Sequence, residues 1–157
     1  VIDARAIDEN TPLHFAAEKG HAHVVKELLE RGAVIDARAI GYTPLHLAAK
    51  QGHAHVVKEL LERGADIDPG NNAEWTPLHL AADKGHDHVV KELLRRGADI
   101  EARTRWGQDT PLMHAAALGN LAAALALLAH GADPKAENIA NDTALGNAKV
   151  LKNNQWE

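Results

Sequence analysis

The feature that most constrains this chain is a sequence motif that returns at a nearly constant interval. Thr-Pro-Leu-His begins at Thr11, Thr43 and Thr76, Thr-Pro-Leu-Met at Thr110, and Thr-Ala-Leu at Thr143. The steps between these threonines are 32, 33, 34 and 33 residues. Self-similarity at such a period indicates a repeat architecture, in which each unit packs only against its neighbours. We therefore expect a single domain. Its units are 1–33, 34–66, 67–99 and 100–133, with a partial fifth at 134–157.

Each unit is predicted to contain two short antiparallel helices. Thr11 suits the N-cap, and Pro12 suits the first helical position because its missing N–H would be unpaired there in any case. The first helix, PLHFAAEK, ends before Gly20. The second, HVVKELLER, places its Val and Leu residues on one stripe and its charged residues on the other. Gly32 then supplies a left-handed stop.

These residues resemble the ankyrin repeat. The segment TPLHLAAKQGHAHVVKELLERGADID, residues 43–68, follows that family's pattern nearly position by position, and the resemblance covers four units and part of a fifth. It implies an all-α solenoid of stacked helix-turn-helix units. It also implies β-hairpin fingers that project beside a concave surface made by the first helices. The function implied is non-enzymatic protein–protein interaction.

Bulk composition excludes several other classes of function. The net charge of −5 argues against a broad nucleic-acid surface, which would require a basic face. The chain has no cysteine, and no apolar run approaches the ~20 residues of a membrane span. No phosphate loop, nucleophile elbow or His-Glu-x-x-His motif is present. We expect an intracellular, cytoplasmic protein that is not an enzyme, needs no cofactor and binds neither nucleic acid nor membrane.

Paired histidines raise the alternative of a row of metal sites. The pairs are His21 with His23, His53 with His55, and His86 with His88. Residues two apart on a helix do not share a face, and equivalent residues of packed helices lie roughly 8–10 Å apart. Zinc–nitrogen bonds are only ~2.0–2.1 Å long, so the row cannot share one metal. The ankyrin resemblance instead implies structural roles for these histidines and for those of Thr-Pro-Leu-His, which are His14, His46 and His79.

Function is expected where the copies of the repeat differ. Repeats one and two differ at four positions between Thr11 and Asp36, and three of these lie on the first helix. The four pairs are Phe15/Leu47, Glu18/Lys50, Lys19/Gln51 and Val34/Asp66. Repeat three has Asp83 and Lys84 at the second and third of these positions, and repeat four has Ala117 and Leu118. The alternative for each charged residue is ordinary solvated surface.

The fingers differ more than the helices do. The glycine expected two residues before the threonine survives only as Gly41, so we expect fingers one, three and four to depart from the standard turn. Finger two is one residue short and finger four one residue long. Tyr42, Trp75 and Trp106 lie on these fingers in a chain with only 3% aromatics. Aromatic residues are typical interface anchors, although each could instead pack against its own repeat.

These arguments predict one partner-binding surface made of finger loops and concave helix ends. Its residues are Ile7, Asp8, Asn10, Phe15, Glu18, Lys19, Tyr42, Lys50, Gln51, Trp75, Asp83, Lys84, Trp106, Asp109 and Leu118.

The second helix of repeat four suggests a different contact. Leu125-Ala126 replaces the Lys-Glu of the other copies, and Ala129-His130 replaces their Glu-Arg or Arg-Arg. We expect the tail NAKVLKNNQWE, which contains Trp156, to cover this apolar face, with another molecule as the alternative. We also expect the solenoid to have ends without the polar capping repeats that most solenoids carry. We expect a monomer that binds a protein partner. The alternative is self-association through the fourth repeat or the open ends. A histidine metal site is a third hypothesis.

Overall fold

The computed structural model describes residues 2–147, in which four helix pairs follow one another. Their helices are α1 (Pro12–Lys19), α2 (Ala22–Glu30), α3 (Pro44–Gln51), α4 (Ala54–Glu62), α5 (Pro77–Lys84), α6 (Asp87–Arg95), α7 (Pro111–Ala117) and α8 (Leu121–Ala129). Residues 144–147 are also helical. The predicted all-α repeat solenoid is confirmed. None of the helices in the described range has the length and apolarity needed to cross a membrane.

The solenoid has two helical layers. The first helices α1, α3, α5 and α7 pack side by side in one layer, and α2, α4, α6 and α8 pack side by side in the other. Buried alanines such as Ala48 and Ala49 let the first helices approach closely, while Leu45, Val57 and Leu60 fill the space between the layers. Each such leucine contributes about 2–3 kcal/mol by leaving water.

Local chemistry sets the limits of the helices. The Thr43 side chain accepts the backbone N–H of His46 at 3.4 Å, which caps α3. Gly20 ends α1 in the left-handed region, with φ at 77°. A Cβ at Gly20 would lie only 2.7 Å from the ring Nδ1 of His53. Glycine is therefore needed here both for its backbone conformation and for the close approach of the next repeat.

The fingers are tight turns of unequal length. Their backbone hydrogen bonds enclose three residues in finger one, two in finger two, three in finger three, four in finger four and three in finger five. The turn position two residues before each threonine is left-handed in all five, including the four where glycine is absent. Those residues are Glu9, Gly41, Glu74, Gln108 and Asn141. Within residues 2–147 the extended pairing is limited to isolated bridges, Ala39 with Tyr42 and Glu137 with Thr143.

Finger two alone has two consecutive left-handed residues. Ile40 has φ at 49° and Gly41 has φ at 83°. Two left-handed residues between paired neighbours form the two-residue hairpin turn that favours Asn-Gly. Isoleucine is a poor residue for this conformation because its branched Cβ crowds the backbone.

Arginine side chains connect successive fingers. Arg5 donates to the carbonyl oxygen of Arg38 at 2.8 Å, and Arg38 donates to that of Gly70 at 2.8 Å. Arg103 donates to the carbonyl oxygen of Glu137 at 2.7 Å. Gly70 occupies the arginine position of finger three and cannot continue the series. Fingers three and four are joined instead through Arg105, whose guanidinium lies 2.9 Å from a Glu74 carboxylate oxygen and whose backbone N–H donates to Ala73.

Candidate functional site

A depression of about 260 Å³ lies where fingers two and three meet helices α3 and α5. Its lining residues are Tyr42, Lys50, Asn71, Ala73, Trp75, Leu80, Asp83 and Lys84. Five of these belong to the predicted partner-binding surface: Tyr42, Lys50, Trp75, Asp83 and Lys84. The structure therefore brings together the central part of that surface.

The histidines of Thr-Pro-Leu-His hold the fingers of this site in place. The Nδ1 atom of His46 accepts the backbone N–H of Thr43 at 3.0 Å, so the ring proton is on Nε2. Nε2–H then donates to the carbonyl oxygen of Trp75 at 2.9 Å. His14 makes the equivalent bond to Tyr42 at 3.1 Å, and His79 makes it to Asp109 at 3.0 Å. The three carbonyls that they bind all belong to predicted site residues.

The histidines that follow the helix-ending glycines fix the other side of the site. His53 Nε2 bonds the carbonyl oxygen of Glu18 at 2.8 Å, and His86 Nε2 bonds that of Lys50 at 3.0 Å. Asn120 stands in the histidine position of repeat four and donates to the carbonyl oxygen of Asp83 at 2.7 Å. The side chain at this recurring position, histidine or asparagine, thus anchors the backbone of a position that varies between repeats.

Burial sets the protonation state of these imidazoles. Loss of solvation lowers the pKa of His46 and that of His79 to about 4, although their carbonyl hydrogen bonds act in the opposite direction. Burial also lowers the pKa of His14. These rings are neutral at pH 7, and both ring nitrogens are occupied by protein groups. In residues 2–147 no three His, Asp or Glu side chains converge as metal ligands would.

The two aromatics of the depression pack against histidine rings. The Tyr42 ring meets the edge of His46 with centroids 5.7 Å apart. Trp75 lies 6.0 Å from His79 and 4.2 Å from His114. Both aromatics are half-buried, so each packs against the solenoid and presents part of its ring to the depression.

His114 was not among the predicted site residues, although it lies beside Trp75. It occupies the position of Phe15, Leu47 and Leu80 in the other repeats. The change from an apolar residue to histidine is the feature of the sequence that could have identified it. Its Nδ1 lies 3.7 Å from an Asp83 oxygen, while its Nε2 is buried without a hydrogen-bond partner. Burial lowers the pKa of His114, while Asp109 and Asp83 act to raise it. The ring therefore packs as an apolar group at the end of the site.

The charges of the depression are unevenly paired. Lys84 Nζ lies 3.5 Å from an Asp83 oxygen. Lys50 has no acidic side chain within ion-pair distance in the part of the chain that the structure describes. The depression thus combines an apolar wall of Trp75 and Leu80 with one unpaired cation. A side chain with an apolar body and a neighbouring carboxylate would complement it.

The remaining predicted residues lie around the depression and do not line it. Ile7 and Asp8 border a separate open cavity on finger one, where Asp8 accepts hydrogen bonds from the backbone and side chain of Asn10. Trp106 is exposed on finger four, and Asp109 accepts a hydrogen bond from Asn138 at 2.7 Å. The predicted residues that lie on or directly after the first helices but outside the depression are Phe15, Glu18, Lys19, Gln51 and Leu118. Trp156 lies outside the described residues.

The outer face of repeat four is apolar in part. Leu121, Leu125 and Leu128 are exposed on α8. Ala126 is buried in the core, so only Leu125 of the substituted pair adds to the exposed face. The tail expected to cover this face lies, apart from Asn147, outside the described residues.

Comparison with known proteins agrees with the geometry. A family model described as ankyrin repeats in three copies matches residues 2–71 and again residues 67–138. No curated protein matches the chain.

Proposed function

The chain belongs to the ankyrin repeat family, and on that premise we propose that it is a recognition module that binds a protein partner through its concave face and finger loops. Repeats of this family are generally protein–protein interaction modules and are typically not enzymes. The observation that carries the proposal is the depression at fingers two and three. There Tyr42, Trp75 and Lys50 surround one small cavity.

The mechanism proposed is binding by a preformed surface. The carbonyls of Tyr42 and Trp75 are held by His14 and His46, and the Trp75 ring is held by His114. Side chains that are ordered before binding lose little conformational entropy when a partner arrives. We propose that a partner places an apolar side chain against Trp75 and Leu80 and a carboxylate near Lys50.

Selection of peptides from a phage-displayed random library, on the immobilised protein, tests the proposal without knowledge of the partner. The selected peptides should share a pattern of acidic and apolar residues. Their affinity, measured by fluorescence anisotropy, should fall about tenfold or more in Lys50→Glu/Lys84→Glu. Lys58→Glu is the control for a surface charge reversal, because Lys58 is exposed but lies on α4, in the other helical layer. Peptides that lose affinity only for the Lys58 variant, or no enrichment at all, would contradict the proposal.

Self-association through repeat four is the second candidate. It is favoured by the exposed leucines of α8, since Leu121 and Leu125 replace residues that are alanine or aspartate and lysine in the other repeats. If this candidate holds, light scattering over a dilution series shows a dimer that dissociates in Leu125→Lys, which restores the residue of the other repeats. A wild-type protein that stays monomeric at all concentrations excludes this candidate.

A further inference from the structure

A row of apolar side chains occupies the tips of the fingers. Ile7 on finger one is 107% exposed, Ile40 on finger two 64%, Trp106 on finger four 70% and Ile139 on finger five 72%. These four residues are called the finger-tip row below. Turn tips ordinarily carry Gly, Asn, Asp or Ser, whose side chains suit the turn and the solvent. Four large apolar residues at such positions require an explanation outside the fold.

Ile40 gives the strongest evidence that the residues of the row do not serve to stabilise the fold. It lies in the left-handed region, where a branched side chain is strained. Its side chain is exposed, so it gains little from burial in return. Strain without a folding benefit points to a role in binding.

The row consists of two apolar pairs. The backbone N–H of Ile139 donates to Gly107 at 3.0 Å, which sets Ile139 beside the turn that carries Trp106. Ile7 and Ile40 lie on fingers one and two, which are joined by Arg5. Finger three separates the pairs with Asn72 and Ala73 at its tip. Because neighbouring repeats are about 10 Å apart, the pairs suit two contact points on one extended partner.

Carboxylates outnumber cations around the row by six to four. The carboxylates are Asp8, Glu9, Glu74, Asp109, Glu137 and Asp142, and the cations are Arg5, Arg38, Arg103 and Arg105, the last of which pairs with Glu74. Asp8, Glu9, Glu137 and Asp142 have no cationic side chain within ion-pair distance in residues 2–147. The finger arginines Arg5, Arg38 and Arg103 are each bound to two backbone carbonyls. An acidic border disfavours binding to an anionic lipid surface. It favours binding to a protein surface that carries basic side chains.

We propose that the finger-tip row docks a protein partner that presents an apolar groove or stripe edged by Lys or Arg side chains. This inference deepens the proposed function, because it names the chemistry that the finger loops recognise. It also assigns Ile40 and Ile139 to partner binding, in addition to Ile7 and Trp106, which the differences between repeats predict.

The test uses a fluorescein-labelled synthetic helix of leucine and lysine, with an apolar stripe edged by lysines, and a matched leucine–glutamate helix. Wild-type protein should bind the first peptide and not the second. The variant Ile7→Asn/Ile40→Asn/Ile139→Asn should bind about tenfold or more weakly. Since asparagine tolerates the left-handed region that strains isoleucine, this variant should melt no earlier than wild type. A loss of binding is then separable from a loss of fold.

The matched control replaces three exposed apolar residues that lie outside both candidate binding surfaces, in Val24→Asn/Val34→Asn/Leu145→Asn, and should leave binding unchanged. Equal binding by wild type and the finger-tip variant overturns the inference, as does failure of the leucine–lysine helix to bind. Weakening only in Lys50→Glu/Lys84→Glu also overturns it, while leaving the proposed function at the depression intact. Co-sedimentation of wild type, but not of the finger-tip variant, with phosphatidylcholine–phosphatidylserine vesicles overturns it in favour of a membrane.

Discussion

The imidazole of His46 donates to the backbone carbonyl of Trp75 at 2.9 Å, and this bond ties the first helix of one repeat to the finger of the next. His14 and His79 repeat the contact on either side. Since Nε2 already carries the ring proton, protonation would occur at Nδ1, where it would break the bond from the threonine N–H and bring a charge into the core. The bonds that shape the candidate site therefore depend on pH.

We expect the protein to lose stability between pH 6.5 and pH 4. The pKa of His46 and that of His79 fall from the ordinary 6.5 to about 4 on folding, so the unfolded chain takes up protons first as the pH drops. At pH 4, the protonation of each imidazole has lowered the free energy of unfolding by roughly 3 kcal/mol. Burial raises the pKa of Asp36 and that of Asp68, which opposes the loss only near the acidic end. Urea unfolding followed by circular dichroism measures the profile, and equal midpoints at about pH 7.5 and pH 5 would contradict the expectation.

Repeat four lacks the histidine contact. Met113 stands in its place, and its sulfur accepts the backbone N–H of Thr110 at 3.4 Å. We expect Met113→His to add a bond to the carbonyl oxygen of Asp142 and to raise the free energy of unfolding by about 1 kcal/mol at pH 7.5. Slower amide hydrogen exchange at Asn141, whose N–H bonds within finger five, would locate the effect. The reciprocal change His79→Met should lower stability, and a gain in both variants would show that the hydrogen bond is not the cause.

Sequence reasoning succeeded where structure depends on chemistry local to one repeat. Thr11, Pro12 and Gly20 set the limits of α1, and the predicted segment PLHFAAEK coincides with Pro12–Lys19. Charged pairs of the second helix are also local. Arg31 follows Glu27 by four residues, and its Nε lies 2.6 Å from a Glu27 carboxylate oxygen. The finger arginines recur with the period, yet their partners lie on the next finger and cannot be identified within one repeat.

The candidate site was predicted less completely, because it depends on how neighbouring repeats meet. The variable positions identified Lys50, Trp75 and Asp83, which do line one depression. Burial of Leu80 and His114 beside them results from the packing of α5 against α7. Ile40 was missed for a different reason. The one surviving turn glycine, Gly41, made finger two look ordinary, while the shortened loop forces its neighbour into the left-handed region as well.

Glycine in place of Glu9 should stabilise finger one. Glu9 has φ at 65°, which costs a residue with a Cβ about 1 kcal/mol or more. We expect Glu9→Gly to raise the free energy of unfolding by about 0.5–1 kcal/mol, the gain being reduced by the extra freedom of glycine in the unfolded chain. Asp8→Gly is the matched control in the same turn. It should lower stability, because Asp8 accepts the hydrogen bonds of Asn10 and is not left-handed. Thermal unfolding of the two variants should shift in opposite directions, and a shared direction would contradict the strain argument.

His114→Leu should stabilise the protein and alter its pH profile. Leucine fills the same position in repeats two and three, and it removes a buried ring nitrogen that has no hydrogen-bond partner. An unsatisfied buried polar group costs about 1–3 kcal/mol, so we expect a gain of about 1 kcal/mol at pH 7.5. Burial lowers the pKa of His114, which means that its protonation opposes folding as the pH falls below 6.5. The gain should therefore grow at about pH 5, and urea titrations of both proteins at the two pH values measure it. A variant that is less stable at both values would show instead that the contact of His114 with Trp75, at 4.2 Å, outweighs the unsatisfied nitrogen.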